Sequence, residues 1–103
     1  MEFNGLTVQG FDWDQHNSLK IQEKHGILPQ QVEFLFAGVF QVVPDEAHSN
    51  NEARYAAYGL DPDKRPMIVS FTLRTVDGAM LIRPISARRM HAKERERHDQ
   101  DQA

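Results

Sequence analysis

The side chains with the clearest chemical potential lie in a cationic stretch near the C-terminus, Met80–Arg97 (MLIRPISARRMHAKERER). This stretch holds six of the twelve Lys and Arg residues of a chain whose formal net charge is -3. An apolar, strand-like segment carries Arg83, and the chain then passes through Ser86 and Arg88 into a basic helix. Cations concentrated at a strand end and on the helix after it are typical of a surface that binds phosphate or an acidic partner.

The helical and the strand-like part of this stretch each have a structural interpretation besides the functional one. Lys93–Arg97 alternates bases with acids, which is also typical of a solvated helix face with local salt bridges. Arg83 is predicted to lie on the same strand face as Leu81 and Ile85, so packing should orient its guanidinium group. The structural alternative for Arg83 is an ion pair with a carboxylate such as Glu52, which would join two strands.

Other titratable side chains spread along the chain complete an acid–base and cation set. Its members are Lys20, Lys24, His25, Glu52, Arg54, Arg74, Arg83 and Arg88. Together they offer what metal-free RNA cleavage requires: a group with a pKa near neutral to remove the 2′-hydroxyl proton, and guanidinium groups to stabilise charge on the phosphorus centre. Each also has a simpler interpretation, His25 as a helix C-terminal cap and Arg54 as an ordinary surface arginine.

Composition narrows the class of protein. The chain has no cysteine, so disulfides and thiolate metal sites are excluded. The five histidines show no metal-ligand spacing, and no phosphate-binding glycine loop or nucleophile elbow occurs, so we expect no metal and no cofactor. No apolar run approaches the roughly 20 residues that span a bilayer, and the N-terminus lacks an export signal. We therefore expect a cytoplasmic protein that does not contact membranes.

Length and periodicity predict one domain, residues 1–103. The first strand is predicted over Leu6–Trp13, with helices at Gln15–His25 and Pro29–Ala37. The remaining elements are strands at Val39–Val43, Ala53–Leu60, Met67–Thr75 and Met80–Ala87 and a helix at His91–Asp99. Asp77–Gly78 closes a hairpin, and Pro84 belongs at a sheet edge or a bulge because it lacks an N–H.

This order of elements predicts an α+β fold. The strands from Val39 onward form an antiparallel meander sheet, two N-terminal helices pack on one face, and a C-terminal helix ends the chain.

Six segments resemble the BrnT toxin family, in the family's order and over nearly the whole chain. They are FDWDQHN (Phe11–Asn17), KIQEKHGI (Lys20–Ile27), PQQVE (Pro29–Glu33), EARYAAYG (Glu52–Gly59), IVSFTLR (Ile68–Arg74) and IRPISARRMHAKER (Ile82–Arg95). Pro84 departs from the family pattern, which prefers a β-branched residue there, and this change could shift the end of the strand.

The resemblance implies a RelE-like fold and a ribonuclease toxin of a type II toxin–antitoxin module. It also implies neutralisation by a BrnA-like ribbon-helix-helix antitoxin, with promoter DNA bound only through that antitoxin. On the matching motifs, the resemblance assigns catalysis to Lys24, His25, Glu52, Arg54, Arg83, Ser86 and Arg88. We expect the RNA backbone to be bound by Lys20, Arg74, Arg89 and Lys93.

Two other functions stay open from the sequence. A catalytically silent relative would use the same fold only to bind a protein or an RNA, and a metal-dependent hydrolase would need ligands that the sequence does not supply in a familiar pattern. Growth arrest on induced expression separates the toxin from the silent relative, and the effect of a chelator separates it from the metal enzyme.

Overall fold

The computed structural model describes residues 2–3 and 5–102, with side chains for all of these except Phe3 and residues 98–102. The strands are β1 (Glu2–Phe3), β2 (Leu6–Thr7), β3 (Gly10–Phe11), β4 (Gln41–Pro44), β5 (Tyr55–Leu60), β6 (Pro66–Val76) and β7 (Ala79–Arg89). The helices are α1 (Gln15–His25), α2 (Pro29–Ala37) and α3 (Ala92–Gln102), and Glu46–His48 forms one 3₁₀ turn. The described chain is thus α+β.

Helix α1 begins and ends where capping chemistry predicts. The Asp14 carboxylate accepts from the backbone N–H of Asn17 at 2.9 Å, and Asn17 Oδ1 accepts from the Asp14 N–H at 2.8 Å. At the other end Gly26 adopts a left-handed conformation, with φ of 66°, and its N–H donates to the carbonyl of Gln22. These reciprocal bonds satisfy backbone groups that a helix end otherwise leaves unpaired.

A five-stranded sheet in the order β3-β7-β6-β5-β4 forms the body of the protein. β4 to β7 pair antiparallel as the predicted meander, whereas β3 runs parallel to β7 through Gly10 and Phe11. β1 and β2 form a separate two-stranded hairpin. The prediction of one strand over Leu6–Trp13 was therefore wrong, because the chain leaves the hairpin after Thr7 and pairs again only at Gly10.

The helices α1 and α2 bury one face of the sheet. Ile21 of α1 and Leu35 of α2 join one core with Val69 and Phe71 of β6 and Ala57 of β5. Gly59 lets α2 approach β5 closely, because a Cβ atom there would lie 2.7 Å from Leu35 Cγ. Met67, Val69 and Phe71 of β6 face this core, and the two helices leave the opposite face of the sheet for other contacts.

A β-bulge interrupts the pairing of β6 with β7. Ser70 pairs with Ser86 and Phe71 pairs with Pro84, so Ile85 is an extra residue with no partner on β6. Pro84 has no N–H to give to a ladder, and it lies beyond the two residues of β7 that pair with β3. Both parts of the expectation for Pro84 are met: it flanks a bulge, and it lies where β7 has lost its neighbour on one side.

Most predicted boundaries agree with the structure to within two or three residues. Both N-terminal helices have the predicted bounds, while β7 continues past Ala87 to Arg89. The strand predicted from Val39 begins at Gln41, and the one predicted from Ala53 begins at Tyr55. The C-terminal helix begins one residue later than predicted and extends to Gln102.

Candidate functional site

The bulge brings three predicted site residues onto one sheet face. Arg83 pairs with Thr72, Ser86 with Ser70 and Arg88 with Ile68, and these three β6 residues alternate along one face. Strict alternation along β7 would place Ser86 and Arg88 opposite Arg83, and the extra residue Ile85 reverses that parity. The face opposite α1 and α2 therefore carries a line of cationic and hydroxyl side chains, which we call the β7 face: Arg83, Ser86 and Arg88, with Ser70, Thr72 and Arg74 of β6. Thr72 is only 3% exposed, so its hydroxyl is not available to a ligand.

Arg83 is held firmly at the N-terminal end of the β7 face. Its Nη2 donates to Asp14 Oδ2 at 2.7 Å, and its Nη1 lies 3.5 Å from Asp12 Oδ2. The side chain is only 15% exposed. The Asn17 backbone N–H, followed by Arg83, keeps the pKa of the Asp14 carboxyl below its ordinary value. The structural alternative for Arg83, an ion pair with a carboxylate, is present, but the partners are these two aspartates rather than Glu52.

Asn17 supports the same corner from inside the protein. It is 3% exposed, and its Nδ2 donates to the carbonyls of Asp12 at 3.1 Å and Pro84 at 3.0 Å. The motif FDWDQHN therefore fixes the start of α1 against β7 through backbone carbonyls and the guanidinium of Arg83. Trp13 extends this network, because its Nε1 donates to Glu33 Oε2 of α2 at 2.9 Å.

Arg88 lies at the C-terminal end of the β7 face and makes a two-pronged ion pair. Its Nη1 and Nη2 each donate to one oxygen of Glu94, both at 2.7 Å. The hydrogen bonds that Arg88 donates to the Glu94 carboxylate raise the pKa of Arg88. The same bonds, followed by the one from the His91 N–H, lower the pKa of Glu94 to about 2. Tyr58 also contributes to the shift at Arg88, and it pairs with Ile68, the β6 partner of Arg88.

A second group lies around the start of β5. Arg74 Nε is 3.2 Å from Glu52 Oε2, so Glu52 is the partner of Arg74. Arg54 is anchored by its backbone, since its N–H donates to Ser49 Oγ at 2.9 Å and its carbonyl accepts from the Asp45 N–H. Within residues 2–3 and 5–97, the Arg54 side chain makes no ion pair. Arg74 shares the β7 face, one step along β6 from Thr72.

The predicted cations of α1 line a narrow crevice against the free edge of β7. The crevice is too narrow to hold a water molecule, and its walls are Lys20, Ile21, Lys24, His25, Ile85, Ser86 and Ala87. The edge is free there because β3 pairs only with Leu81 and Ile82. Ser86 lines this crevice and also belongs to the β7 face, so it is the place where the two predicted sets meet.

Arg89 and Lys93, both predicted to bind RNA, have different surroundings. Arg89 Nη2 lies 3.0 Å from Asp61 Oδ2, whose side chain is fully buried. Burial alone would raise the pKa of Asp61, but the backbone N–H groups of Arg65 and Asp63 and the two guanidinium groups outweigh it and lower that pKa. Arg89 therefore holds the end of β7 to the turn after β5, whereas Lys93 is exposed on α3.

Sequence reasoning missed three members of this arrangement. The pairs of Arg83 with Asp14 and of Arg88 with Glu94 depend on the bulge in β7 and on how α1 and α3 lie against that strand, which the sequence pattern does not show. Tyr58 lay within a recognised motif, and its alternation with Ala56 was the signal that put it on the same face as the cations. Lys24 and His25 come together with Ser86, whereas Glu52 and Arg54 form a separate group joined to the face through Arg74.

Two absences hold for the part of the chain that the structure describes. It contains no cluster of three or more His, Cys, Asp or Glu side chains placed to bind a metal ion. It also has no helix with the length and apolar character needed to cross a membrane.

Comparison with known proteins gives one clear relationship. The chain finds no match among curated protein sequences. A family model described as ribonuclease toxin, BrnT, of type II toxin-antitoxin system matches residues 13–94, about four-fifths of the chain. The match begins at Trp13, in the capping motif of α1, and ends at Glu94, the partner of Arg88. The protein therefore belongs to the BrnT family of ribonuclease toxins of type II toxin–antitoxin systems.

Proposed function

We propose that this protein is a metal-independent endoribonuclease that cuts RNA on the β7 face and beside the crevice under α1. The observation that carries the proposal is the position of Ser86, which borders both the arginine line of the sheet and the Lys24–His25 pair. Membership of a ribonuclease toxin family supports the activity. The donors on this face supply positive charge without a metal ion, as cleavage through the ribose hydroxyl requires.

The proposed chemistry is an in-line displacement at one phosphodiester. The 2′-hydroxyl oxygen attacks phosphorus, the bond to the 5′-oxygen breaks, and a 2′,3′-cyclic phosphate and a 5′-hydroxyl result. His25 or Lys24 accepts the 2′-hydroxyl proton, and a protonated group returns a proton to the leaving oxygen. Arg83 and Arg88 stabilise the charge on the phosphoryl oxygens, and Ser86 lies close enough to donate a further hydrogen bond.

The remaining residues are proposed to position the RNA. Lys20, Lys93 and Arg74 attract backbone phosphates, and Glu52 orients Arg74. Arg54 is half-buried beside the Arg74–Glu52 pair and is proposed to contact the substrate directly. For Arg89 we propose an indirect contribution, since its ion pair with buried Asp61 fixes the end of the strand that carries Arg88.

The partner proposed for this toxin is a BrnA-like ribbon-helix-helix antitoxin, through which the complex would bind promoter DNA. An acidic segment of such a partner would compete with RNA for the β7 face by charge complementarity. A relationship to RelE-type toxins is proposed on the same basis, supported by the antiparallel meander with two helices against one face.

One observation favours a second candidate, a silent relative that only binds a partner. Arg74, Arg83 and Arg88 are each already paired with a carboxylate of the same chain. Guanidinium groups neutralised in this way would stabilise the fold without acting on a phosphate.

Induced expression in a bacterium, with and without the antitoxin gene, separates the two candidates. We expect growth arrest from the chain alone, rescue by the antitoxin, and normal growth with the Arg88→Ala variant at equal soluble yield. Normal growth of cells that hold much soluble, folded wild-type protein would contradict the toxin and favour the silent relative.

A further inference from the structure

The contact between Arg88 and Glu94 has the geometry of a bound phosphate. Two parallel N–H···O bonds of 2.7 Å join the two Nη atoms to the two carboxylate oxygens. Carboxylate and phosphate both present a pair of oxygens that fits this donor fork. Because one fork cannot bind both groups in this manner at once, any phosphate that binds there must first displace Glu94.

Glu94 belongs to an element that is weakly tied to the rest of the protein. α3 makes only sparse contacts with the remainder of the described chain. Lys93, Arg95, Glu96 and Arg97 are exposed, and among residues 92–97 of α3 it is Glu94 whose side chain contacts the sheet. No large apolar residue occurs in α3, so no buried hydrophobic surface resists its displacement.

A capping hydrogen bond at the start of α3 helps to hold Glu94 next to Arg88, but it does not prevent Glu94 from leaving Arg88. His91 precedes the first helical residue, and its N–H donates to Glu94 Oε1 at 3.0 Å. This is half of a capping box, with Glu94 in the third helical position. Release of the carboxylate would expose the His91 N–H to water, which can replace that hydrogen bond at low cost.

We propose that Glu94 occupies a phosphate-binding site on Arg88, so that α3 acts as a self-inhibitory latch which RNA must open. The inference rests on the proposed function and adds regulation to its site. Arg88 is 36% exposed, so a phosphate oxygen can reach the fork and exchange with the carboxylate. The latch therefore lowers the affinity of the free toxin for RNA, and a variant that loses the carboxylate charge is more avid and more active.

The test compares Glu94→Gln with Glu96→Gln. Both variants remove one negative charge from the same helix, but exposed Glu96 makes no ion pair within residues 2–3 and 5–97. The probe is a short RNA with 2′-O-methyl groups, which binds without being cut. We expect Glu94→Gln to bind it about tenfold more tightly than wild type, and Glu96→Gln to remain within about twofold.

The same pair of variants on an Arg88→Ala background completes the test. Without the Arg88 guanidinium there is no phosphate-binding site for Glu94 to occupy. Glu94→Gln and Glu96→Gln should then have equal, small effects on the affinity for the RNA probe. Equal affinities of the two single variants would overturn the latch, as would weaker binding by Glu94→Gln, which would mean that Glu94 positions Arg88 for its ligand. Failure of every variant to bind the probe would overturn it too.

Cleavage assays keep this inference distinct from the proposed function. If wild type cuts unmodified RNA and the two glutamine variants behave alike, the ribonuclease stands and the latch is wrong. If Glu94→Gln alone gains affinity while no variant cuts RNA, the latch stands and the catalytic proposal is wrong.

Discussion

The two ends of β7 carry the same kind of contact in opposite settings. At one end Arg83 is 15% exposed and pairs with Asp12 and Asp14, which join β3 to α1. At the other end Arg88 is 36% exposed and pairs with Glu94, on a helix with sparse contacts to the body. The first pair is part of a buried corner that includes Asn17. The second pair joins β7 to α3, a helix that makes few other contacts.

This difference separates an arginine that a buried corner of the fold holds in place from one whose carboxylate partner lies on a loosely attached helix. Loss of Arg83 leaves two aspartates without their partner next to a buried amide, and the whole corner must readjust. Loss of Arg88 leaves Glu94 on an exposed helix, where water can solvate it. An ion pair is thus a poor guide to function until the mobility and burial of the partner are known.

The largest effect on stability is expected from Asn17→Ala at the buried corner. The change removes the Asn17 donor from the Pro84 carbonyl, leaves the Asp12 carbonyl only the longer bond of 3.4 Å from Arg83 Nη1, and removes half of the capping box. We expect the free energy of unfolding to fall by about 3 kcal/mol, measured by chemical denaturation. Ser18→Ala is the control, since the Ser18 hydroxyl bonds only to exposed carbonyls of its own helix. Equal losses in the two variants would contradict the role of the corner.

The next largest effect concerns Arg83 and Arg88, whose loss should affect the melting temperature differently but RNA cleavage similarly. Arg83→Ala should lower the melting temperature by about 5 °C, and Arg88→Ala should change it by about 1 °C. RNA cleavage, measured well below both melting temperatures, should fall roughly a hundredfold in each. Arg83→Lys should recover cleavage poorly because a lysine lacks the planar fork.

Wild-type turnover by folded Arg83→Ala in the cold would make Arg83 purely structural and remove it from the proposed site. A large drop in melting temperature for Arg88→Ala would show that α3 is more firmly attached than its contacts indicate.

The smallest expected effect is the loss of stability from the Arg88–Glu94 pair when the pH is lowered. The folded-state pKa of Glu94 is about 2, below its ordinary value of 4.5. A lowered carboxyl pKa means that the contribution of the pair is complete above about pH 4.5 and is lost as the pH falls toward 2. Glu94 side-chain resonances, followed by NMR, should therefore titrate near pH 2 in wild type and closer to the ordinary value in Arg88→Ala. The same midpoint in both proteins would mean that the pair does not form in solution.

The sequence predicted the parts of this fold that depend on local chemistry. Asp14 and Gly26 mark the ends of α1, and alternation along β6 puts Met67, Val69 and Phe71 on one face, which is the face that joins the core with α1 and α2. The arrangement of the candidate site depends instead on a nonlocal feature, the register of β7 against β6. Pro84 signalled a bulge or an edge, but its consequence, Arg83 and Arg88 on one face, follows only from the register with β6.

The carboxylate partners of Arg83 and Arg88 could not be predicted from the sequence for a related reason. Arg83 meets Asp14 across 69 positions of sequence, and the choice between Asp14 and Glu52 depends on how β3 and α1 join the edge of the sheet. Glu94 is only six positions from Arg88, yet a basic helix with alternating charges gave no sign of which acid would turn back to the strand.

Cleavage of a defined single-stranded RNA by purified protein in excess EDTA tests the central claim most directly, with identification of the product ends. We predict that wild type cuts at an undiminished rate and leaves 2′,3′-cyclic phosphate and 5′-hydroxyl ends, and that Arg88→Ala, folded and equally stable, is slower by about a hundredfold. Loss of cleavage in EDTA, 5′-phosphate products, or full activity of Arg88→Ala would contradict a metal-independent ribonuclease acting on the β7 face.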